Sequence, residues 1–191
     1  WCWRLRLTGA DDDATQPPRR PAATLHRMFV TRRILHCRLC GSPTVYQVPA
    51  DDNRERAVRS ACGEIHYENP LNVVGTVPVW GEQVLLCRRN IEPRHGMWTL
   101  PAGFMELGES TLQGALRETI EEAGAKVEMQ DLFTVLNVVR VGQVHFFYRA
   151  RMLDTSLDPG PETIEARLFR EDEIPWDELA FRTVRQTLEL F

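Results

Sequence analysis

The chain has 191 residues, of which 43% are hydrophobic, and carries a formal net charge of -4 at pH 7. This length and composition suffice for one main hydrophobic core with a small appendage. The negative charge offers no basic surface for nucleic acid, and no run of about eighteen apolar residues would span a membrane. We therefore expect no nucleic acid partner and no membrane span.

The N-terminal residues 1–27 have the composition of a disordered segment. Three consecutive aspartates at 11–13 and a Pro-Pro-Arg-Arg-Pro run at 17–21 lie in a stretch without helical or strand periodicity. The aspartates also argue against an organellar presequence. We predict that residues 1–27 are disordered or an upstream extension, and that the working protein begins at Met28.

Residues 28–69 contain three cysteines with the spacing of a small zinc ribbon. Cys37 and Cys40 form a Cys-x-x-Cys knuckle, and Cys62 is followed by glycine, as in the second half of a ribbon. Arg59 stands where a fourth cysteine would complete the second knuckle. Two readings stay open, a three-cysteine Zn²⁺ site and a degenerate ribbon held by packing and turns.

The histidines and the remaining thiols of the chain add two points. His36 and His66 are the candidates for a fourth zinc ligand, although neither occupies the expected position. Cys2 and Cys87 suggest no disulfide framework, which favours a reducing, cytoplasmic location.

Two strands joined by a tight turn are predicted at the start of the segment 70–191. Alternating apolar residues cover 73–80 and 83–88, and Gly81 with Glu82 supplies the turn. Pro78 lacks an N–H for the ladder, so the first strand is predicted to be an edge strand or to contain a bulge.

Arginines follow the second strand and lead into a glycine loop. Arg89 and Arg94 are candidates for gripping a phosphate with paired N–H donors, while the alternative is solvated charge at strand ends. Trp98 is predicted to be a core residue rather than a stacking platform.

A helix with well-marked ends follows the glycine loop. Ser110 and Gln113 have the spacing of a capping box and Gly124 suits a left-handed C-cap, so the helix is predicted over residues 111–123. Apolar and small residues recur at helical spacing and predict one buried face, made of Leu112, Ala115, Leu116, Thr119, Ile120 and Ala123.

The opposite face of this helix carries Glu118, Glu121 and Glu122, which we expect to lie in water or over a cleft. Their Cβ atoms should lie within about 5–6 Å of one another, so the carboxylates repel. A solvated acidic face is the alternative interpretation. The glycines at 103 and 108 let the preceding loop fold back toward the carboxylates, and an oxygen cluster of this kind suits Mg²⁺.

The remaining elements are a hairpin, a short strand and a last helix. The hairpin is predicted over 132–140 and 144–151 around Gly142, the strand over 166–169 and the helix over 183–190. In the loop before the last strand, Glu162 or Glu165 is a candidate general base or added metal ligand. A charge on a surface loop is the alternative.

The glycine loop and helix resemble the Nudix box, G-x5-E-x7-R-E-U-x-E-E-x-G-U, in which U is a bulky apolar residue. Seven fixed positions match in register, namely Gly103, Glu109, Arg117, Glu118, Glu121, Glu122 and Gly124. The sequence departs at two U positions, where it has Thr119 and Ala125. Both lie on the packing side of the helix.

The resemblance implies hydrolysis of a nucleoside diphosphate linked to another moiety. Glu118, Glu121 and Glu122, with the backbone carbonyl of Ala102, would hold Mg²⁺ or Mn²⁺. Arg117 would pair with Glu109 and hold Glu118 in position, a use that suits a planar guanidinium. Gly103 would contact substrate. Metal activation of water would supply the nucleophile, and positioning with charge stabilisation would carry the rate.

The resemblance also implies a fold, an α/β/α sandwich with a mixed sheet, preceded by a small ribbon that is either zinc-bearing or degenerate. From about residue 37 onward the chain resembles the ribbon-bearing Nudix group that includes the plant chloroplast FAD pyrophosphatase. The resembling strings include Tyr67-Glu68-Asn69-Pro70, Arg89-Asn90-Ile91-Glu92-Pro93, Trp98-Thr99-Leu100-Pro101-Ala102-Gly103 and Gly160-Pro161-Glu162.

The substrates expected from this resemblance are FAD or ADP-ribose, with AMP as a product. NADH ranks lower, because the S-Q-P-W-P-F-P signature of NADH pyrophosphatases does not follow the box. The alternatives are a nucleoside triphosphate pyrophosphatase, a sensor that binds nucleotide without turnover, and a ribbon-mediated interaction module. The resemblance also implies a homodimer, since members of the family commonly dimerise.

Overall fold

The computed structural model of the protein describes residues 33–191, in which ten β-strands and two α-helices are formed. The predictions for residues 1–27 and for a start at Met28 lie outside this range. Within it, no helix combines the length and the hydrophobicity that crossing a membrane requires.

A small antiparallel sheet comes first. Its strands are β1 (Val45–Gln47), β2 (Arg56–Val58) and β3 (Ile65–His66), in the order β1-β2-β3. Cys37, Ala57 and Val58 are the buried apolar residues of this unit. Such a small sheet buries little apolar surface, which is the usual reason for a metal in units of this size.

A seven-stranded mixed sheet forms the larger unit. The strands run β10-β5-β4-β9-β8, with β6 paired to β5 and β7 paired to β4. The pairing of β4 with β9 is parallel and the other pairings are antiparallel. The bounds are β4 Leu71–Trp80, β5 Gln83–Arg89, β6 Trp98–Thr99, β7 Ala102–Phe104, β8 Val127–Val138, β9 Gln143–Met152 and β10 Thr163–Arg170.

Two helices, α1 (Thr111–Ala123) and α2 (Arg182–Leu190), cover opposite faces of this sheet. Thr76 of β4 hydrogen-bonds to α1, whereas the next residue, Val77, belongs to the buried cluster that contains Val184 and Leu188 of α2. Neighbouring residues of a strand point to opposite faces, so each helix has its own side. The predicted α/β/α sandwich with a mixed sheet is confirmed.

Trp98 lies in the core, as predicted. Its ring is 6% exposed and meets the Phe169 ring edge-on, with the centroids 4.9 Å apart. The predicted elements are all present, and β4, β5, β8, β9 and β10 are longer than expected. The two short strands β6 and β7 were not predicted.

The interpretation of β4 as an edge strand was wrong, since β5 and β7 lie on one side of it and β9 on the other. The N–H of Thr76 reaches the Pro101 carbonyl at 3.1 Å on the β7 side, and Pro78, two residues on, faces that same side. There β7 has ended and β5 pairs only from Val79 onward. Pro78 therefore falls in the gap between two partner strands, where no donor is required.

Candidate active site

Helix α1 has the ends that the sequence predicts. The Gln113 N–H donates to the Ser110 hydroxyl at 3.2 Å, and the Ser110 N–H donates to the Gln113 side chain at 2.8 Å. Gly124 adopts φ 62° and donates its N–H to the Ile120 carbonyl at 2.8 Å. Both ends are therefore fixed by local hydrogen bonds, which set the axial position of every side chain on the helix.

The buried face of α1 differs from the predicted one. Leu112 and Ile120 are 37% and 52% exposed, whereas Glu118 and Glu122 are 9% and 7% exposed. The face against β4 consists of small residues, and a Cβ added at Gly114 would lie 2.9 Å from a Val74 methyl group. The close approach of α1 to β4 therefore requires small residues at the contact. Glu118 and Glu122 are buried together with these small residues.

Thr119 replaces a bulky apolar residue of the motif and makes two buried hydrogen bonds. Its hydroxyl donates to the Ala115 carbonyl at 2.7 Å and lies 2.6 Å from the Thr76 hydroxyl. With Thr119 donating to the carbonyl, the Thr76 hydroxyl donates to Thr119. The polar departure at this position is thus satisfied and ties α1 to the central strand.

Arg117 lies at the centre of an acidic cluster that consists of Glu109, Glu118, Glu121 and Glu122. Its Nε and Nη2 donate to the two Glu109 oxygens, its Nη1 donates to Glu118 at 2.7 Å and Glu121 at 3.0 Å, and its Nη2 also reaches the Phe104 carbonyl. The hydrogen bonds from Arg117 lower the pKa of Glu109 to about 2. One guanidinium thus orients three carboxylates and the backbone of the glycine loop.

Two carboxyl groups of the cluster are destabilised as anions. Burial raises the pKa of Glu122 to about 7, against a hydrogen bond from the Ala102 N–H at 3.0 Å. Burial likewise raises the pKa of Glu118, and the charge of Arg117 opposes this effect. Negative charge held in a poorly hydrated place favours a bound cation.

The glycine loop lies directly on one of these carboxylates. A Cβ added to Gly103 would come within 2.4 Å of the carboxylate atoms of Glu118. Only glycine allows this approach. The loop backbone and the Glu118 oxygens therefore form one surface.

Carboxylate and carbonyl oxygens are the ligand type that a hard divalent cation such as Mg²⁺ or Mn²⁺ prefers. We propose that Glu118, Glu121 and Glu122 hold it, and the carbonyl of Ala102 stays a predicted further ligand. When bound, such a cation neutralises phosphate charge and makes a bound water more acidic.

The predicted residues outside α1 fall into two groups. Arg89 is buried, its charge lowers the pKa of Glu122, and the charge of Glu162 raises the pKa of both Glu118 and Glu122. Arg89 and Glu162 are therefore brought to the cluster. Arg94 is exposed in the turn after β5, and Glu165 pairs in register with Arg88 on β5. In the described part of the chain, neither side chain hydrogen-bonds to the cluster.

Phe181 is a residue that sequence reasoning missed. The Arg89 guanidinium lies 5.1 Å from the centre of the Phe181 ring, and Arg89 Nε donates to the Pro93 carbonyl at 3.0 Å. These contacts fix Arg89 as a cation facing the cluster. Phe181 directly precedes α2 and belongs to no recognisable sequence motif. Its position beside Arg89 could therefore be known only from the fold.

The connection from β9 to β10 is anchored against the end of α1. The Asp158 N–H donates to the Ala123 carbonyl at 2.9 Å, and a Cβ on Gly160 would lie 2.2 Å from the Glu121 carbonyl. Asn90 binds the same connection twice, from its N–H to the Glu162 carbonyl at 2.8 Å and from its amide to Pro161 at 2.9 Å. Glu162 is thus held beside the cluster by the backbone.

A second candidate metal site lies in the small sheet. The sulfur of Cys62 is 3.8 Å from each of the sulfurs of Cys37 and Cys40, and all three lie within 4.8 Å of one another. Tetrahedral zinc with bonds of about 2.3 Å would separate its sulfurs by about 3.8 Å, so these thiols fit Zn²⁺. No imidazole joins this cluster among residues 33–191, which leaves out both His36 and His66.

The thiol of Cys40 is more acidic than usual. Hydrogen bonds from the backbone and side chain of Ser42, with smaller contributions from Cys37 and Arg59, lower its pKa to about 6. A thiolate is the form of cysteine that binds metals.

The sandwich and the motif on α1 define the class of the protein as a hydrolase of the Nudix fold. The NUDIX domain family matches residues 70–190, and the family described as Nudix N-terminal, a zinc ribbon, matches residues 36–68. The chain belongs to the Nudix hydrolase family and carries its ribbon segment.

Three similar proteins illustrate the relationship. A NUDIX hydrolase structure from Nitrosomonas europaea is 45% identical, with a TM-score of 0.78, covering 81% of this chain and 88% of that one. YjhB of Bacillus subtilis (strain 168), named provisionally as an ADP-ribose pyrophosphatase, is 32% identical over 59% of this chain and 56% of its own. NudC of Salmonella heidelberg (strain SL476), named an NAD-capped RNA hydrolase, is 32% identical over 73% of this chain and 52% of its own. The chain thus spans about half the length of these two curated relatives.

Proposed function

We propose that the protein hydrolyses the diphosphate bond of ADP-linked compounds, with ADP-ribose or FAD as substrate and AMP as one product. The reaction depends on Mg²⁺ or Mn²⁺. The observation that carries the proposal is the pair of buried carboxylates, Glu118 and Glu122, set against the glycine loop and backed by Arg117. The name of the relative YjhB supports ADP-ribose.

The residues of this chain have separate tasks in the proposed reaction. Arg117 holds Glu118 and Glu109 in fixed positions, so that the oxygen cluster is organised before substrate arrives. Arg89 is buried, positively charged and held by Phe181, and it donates hydrogen bonds to a phosphate oxygen. Glu162 is the candidate base, because its carboxylate lies close enough to influence both Glu118 and Glu122.

A second candidate substrate is an NAD-type dinucleotide, free or as the cap of an RNA. The relative NudC is named for the capped-RNA reaction and matches 73% of this chain, more than the hydrolase segment 70–190 alone spans. The sequence after the box lacks the NADH signature, which places this candidate below ADP-ribose. Nucleoside triphosphates and a sensor without turnover are the remaining alternatives.

The test is product analysis by chromatography after incubation with Mg²⁺ and, separately, ADP-ribose, FAD, NADH, an NAD-capped RNA and a nucleoside triphosphate. We expect AMP with ribose 5-phosphate from ADP-ribose, or AMP with FMN from FAD. EDTA should abolish the products, and Mn²⁺ or Mg²⁺ should restore them.

Glu121→Gln is the active-site variant for this assay and Glu178→Gln is its matched control, because Glu178 is exposed on the last segment before α2. The first should lose turnover and the second should keep it. Binding of ADP-ribose without any product from all five substrates would contradict the proposal and favour the sensor.

We also propose that the ribbon binds Zn²⁺ through Cys37, Cys40 and Cys62, as their sulfur separations and the ribbon family support. Metal analysis of the purified protein tests this, and less than about one tenth of an equivalent of zinc would contradict it. A reducing, cytoplasmic location suits these thiols. A homodimer remains a prediction, checked by light scattering after size-exclusion chromatography.

A further inference from the structure

The two knuckles of the ribbon have the same backbone design. In each, the first residue donates its N–H to a carbonyl five residues on, and its own carbonyl accepts from a glycine four residues on. In the first knuckle, the Cys37 N–H donates to the Ser42 carbonyl at 2.8 Å, and the Gly41 N–H donates to the Cys37 carbonyl at 2.9 Å. In the second, the Arg59 N–H donates to the Glu64 carbonyl at 2.9 Å, and the Gly63 N–H donates to the Arg59 carbonyl at 2.8 Å. Both glycines are left-handed, with φ 69° and 72°. Arg59 therefore occupies the backbone position of a metal ligand.

The Arg59 side chain cannot act as that ligand. A guanidinium in a protein stays protonated and has no lone pair to donate. The backbone of Arg59 nevertheless belongs to the knuckle that carries Cys62, three residues further on, so this residue lies beside the three sulfurs. Its Nε is buried and has no hydrogen-bond partner among the described residues. A buried donor without a partner indicates a missing acceptor.

The three sulfurs supply three corners of a tetrahedron. The separations of 3.8 Å are those of tetrahedral corners, and the described residues offer no further histidine, cysteine or carboxylate within the cluster. Structural zinc sites are closed by four protein ligands, whereas sites with three protein ligands keep an exchangeable position. Within residues 33–191 the ribbon supplies three protein ligands, which is the second arrangement.

We propose that the ribbon is a binding site for a small thiol, which coordinates as its thiolate at the fourth position with the guanidinium of Arg59 as its partner. This inference rests on the proposed zinc site. A fourth sulfur completes the four-cysteine set that ribbons of this type use, and sulfur suits the metal. Zn²⁺ with four thiolates carries a charge of -2, and Arg59 offsets one of these charges.

The reaction is a ligand exchange without oxidation or reduction. With Cys37, Cys40 and Cys62 holding the metal, the thiol would give its proton to the buffer, and its sulfur would take the place of a water that leaves. The Nε–H of Arg59 acquires an acceptor in the same step.

The test uses the full chain loaded with Co²⁺, which takes tetrahedral sites like those of Zn²⁺ and absorbs visible light according to the number of sulfur ligands. The wild type is titrated with 2-mercaptoethanol without oxygen. We expect its spectrum to move toward that of Arg59→Cys, which restores the fourth cysteine. Arg59→Cys itself should not respond, and it should bind Co²⁺ about tenfold more tightly or better.

Two matched variants separate the contributions of position and charge. Ser60→Cys adds a thiol at the neighbouring exposed position and should respond to 2-mercaptoethanol like the wild type. Arg59→Met removes the guanidinium and should require several-fold more 2-mercaptoethanol, whereas Arg54→Met, which removes an exposed charge from the β1–β2 connection, should not.

Each negative outcome has a distinct meaning. Failure of the wild type to bind Co²⁺ would overturn the zinc site and this inference together. If Co²⁺ binds but its visible spectrum does not change with 2-mercaptoethanol, or disappears, the proposed exchangeable fourth position is wrong while the metal site itself stands. Equal thiol affinity in Arg59→Met and wild type would overturn the role of Arg59.

Discussion

Arg117 donates hydrogen bonds to both carboxylate oxygens of Glu109, from Nε to Oε2 at 3.1 Å and from Nη2 to Oε1 at 2.9 Å. The remaining Nη1 is thereby directed at Glu118 and Glu121. A planar fork is needed for this geometry, and lysine keeps the charge without the fork.

Arg117→Lys should therefore lower the rate of hydrolysis by about 10- to 100-fold, as is typical when a partner that orients metal ligands is changed. The measurement is initial rate against Mg²⁺ concentration, with an increase in the Mg²⁺ needed for half-maximal rate. Arg185→Lys is the control, because Arg185 makes a comparable 2.8 Å ion pair with Glu189 on the exposed side of α2. Equal loss in both variants would exclude a specific role for Arg117.

Glu122 should make the metal-free protein less stable as pH rises. Burial raises its pKa from 4.5 to about 7, so between these values the folded state binds more protons than the unfolded state. The free energy of unfolding therefore falls by an amount on the order of 3 kcal/mol as the pH rises through this window, and it is constant above the window. Glu118 contributes in the same direction.

Glu122→Gln should remove much of this pH dependence and be the more stable protein at pH 8, as measured by urea unfolding in EDTA. Glu178→Gln, at an exposed position, should follow the wild-type curve. A wild-type slope between pH 5 and 7 in Glu122→Gln would show that the carboxyl group is not the source.

Gly103→Ala should impair catalysis more than stability. The added methyl group would lie 2.4 Å from the Glu118 carboxylate, so the side chain must leave its place. Gly81→Ala is the comparison, since its Cβ meets nothing within 4 Å while its φ of 60° imposes strain of about 1 kcal/mol. We expect loss of turnover only in Gly103→Ala and loss of thermal stability mainly in Gly81→Ala.

Thr76 and Thr119 should behave as a coupled pair in stability measurements. Each single change to valine leaves one buried hydroxyl with a lost partner and should cost about 1–3 kcal/mol. The double variant replaces both hydroxyls with methyl groups and should cost less than the sum of the single variants. Additive costs in a double-mutant cycle would show that the 2.6 Å contact carries no coupling energy.

The ends of α1 were predictable because their signals are local. A capping box and a left-handed glycine act within four residues, and both are present as the sequence indicates. The ribbon knuckles are local in the same sense. The tertiary environment of α1 was not predictable in this way, since periodicity assumes that bulky apolar residues mark the buried face. Here Leu112 and Ile120 are exposed because small residues allow the helix to approach β4.

The wider site required knowledge of the fold. Arg89 and Glu162 were candidates and lie by the cluster, whereas nothing in the sequence distinguished them from Arg94 and Glu165. Phe181 meets Arg89 only because α2 returns across the sheet. Strands β6 and β7 have two and three residues, too few to show an alternating pattern.

The anchored connection between β9 and β10 bears on how relatives of this protein diversify. Residues 153–162 would ordinarily be free to change in length, as surface connections are. Asp158 and Gly160 contact the end of α1 and Glu162 is bound to Asn90, so an insertion among residues 158–162 would displace these contacts. The turn at 90–97 is mostly exposed and lies next to Arg89. Asn90 of this turn binds that same connection, and Arg89 binds the Pro93 carbonyl within the turn, so the two segments should change in length together.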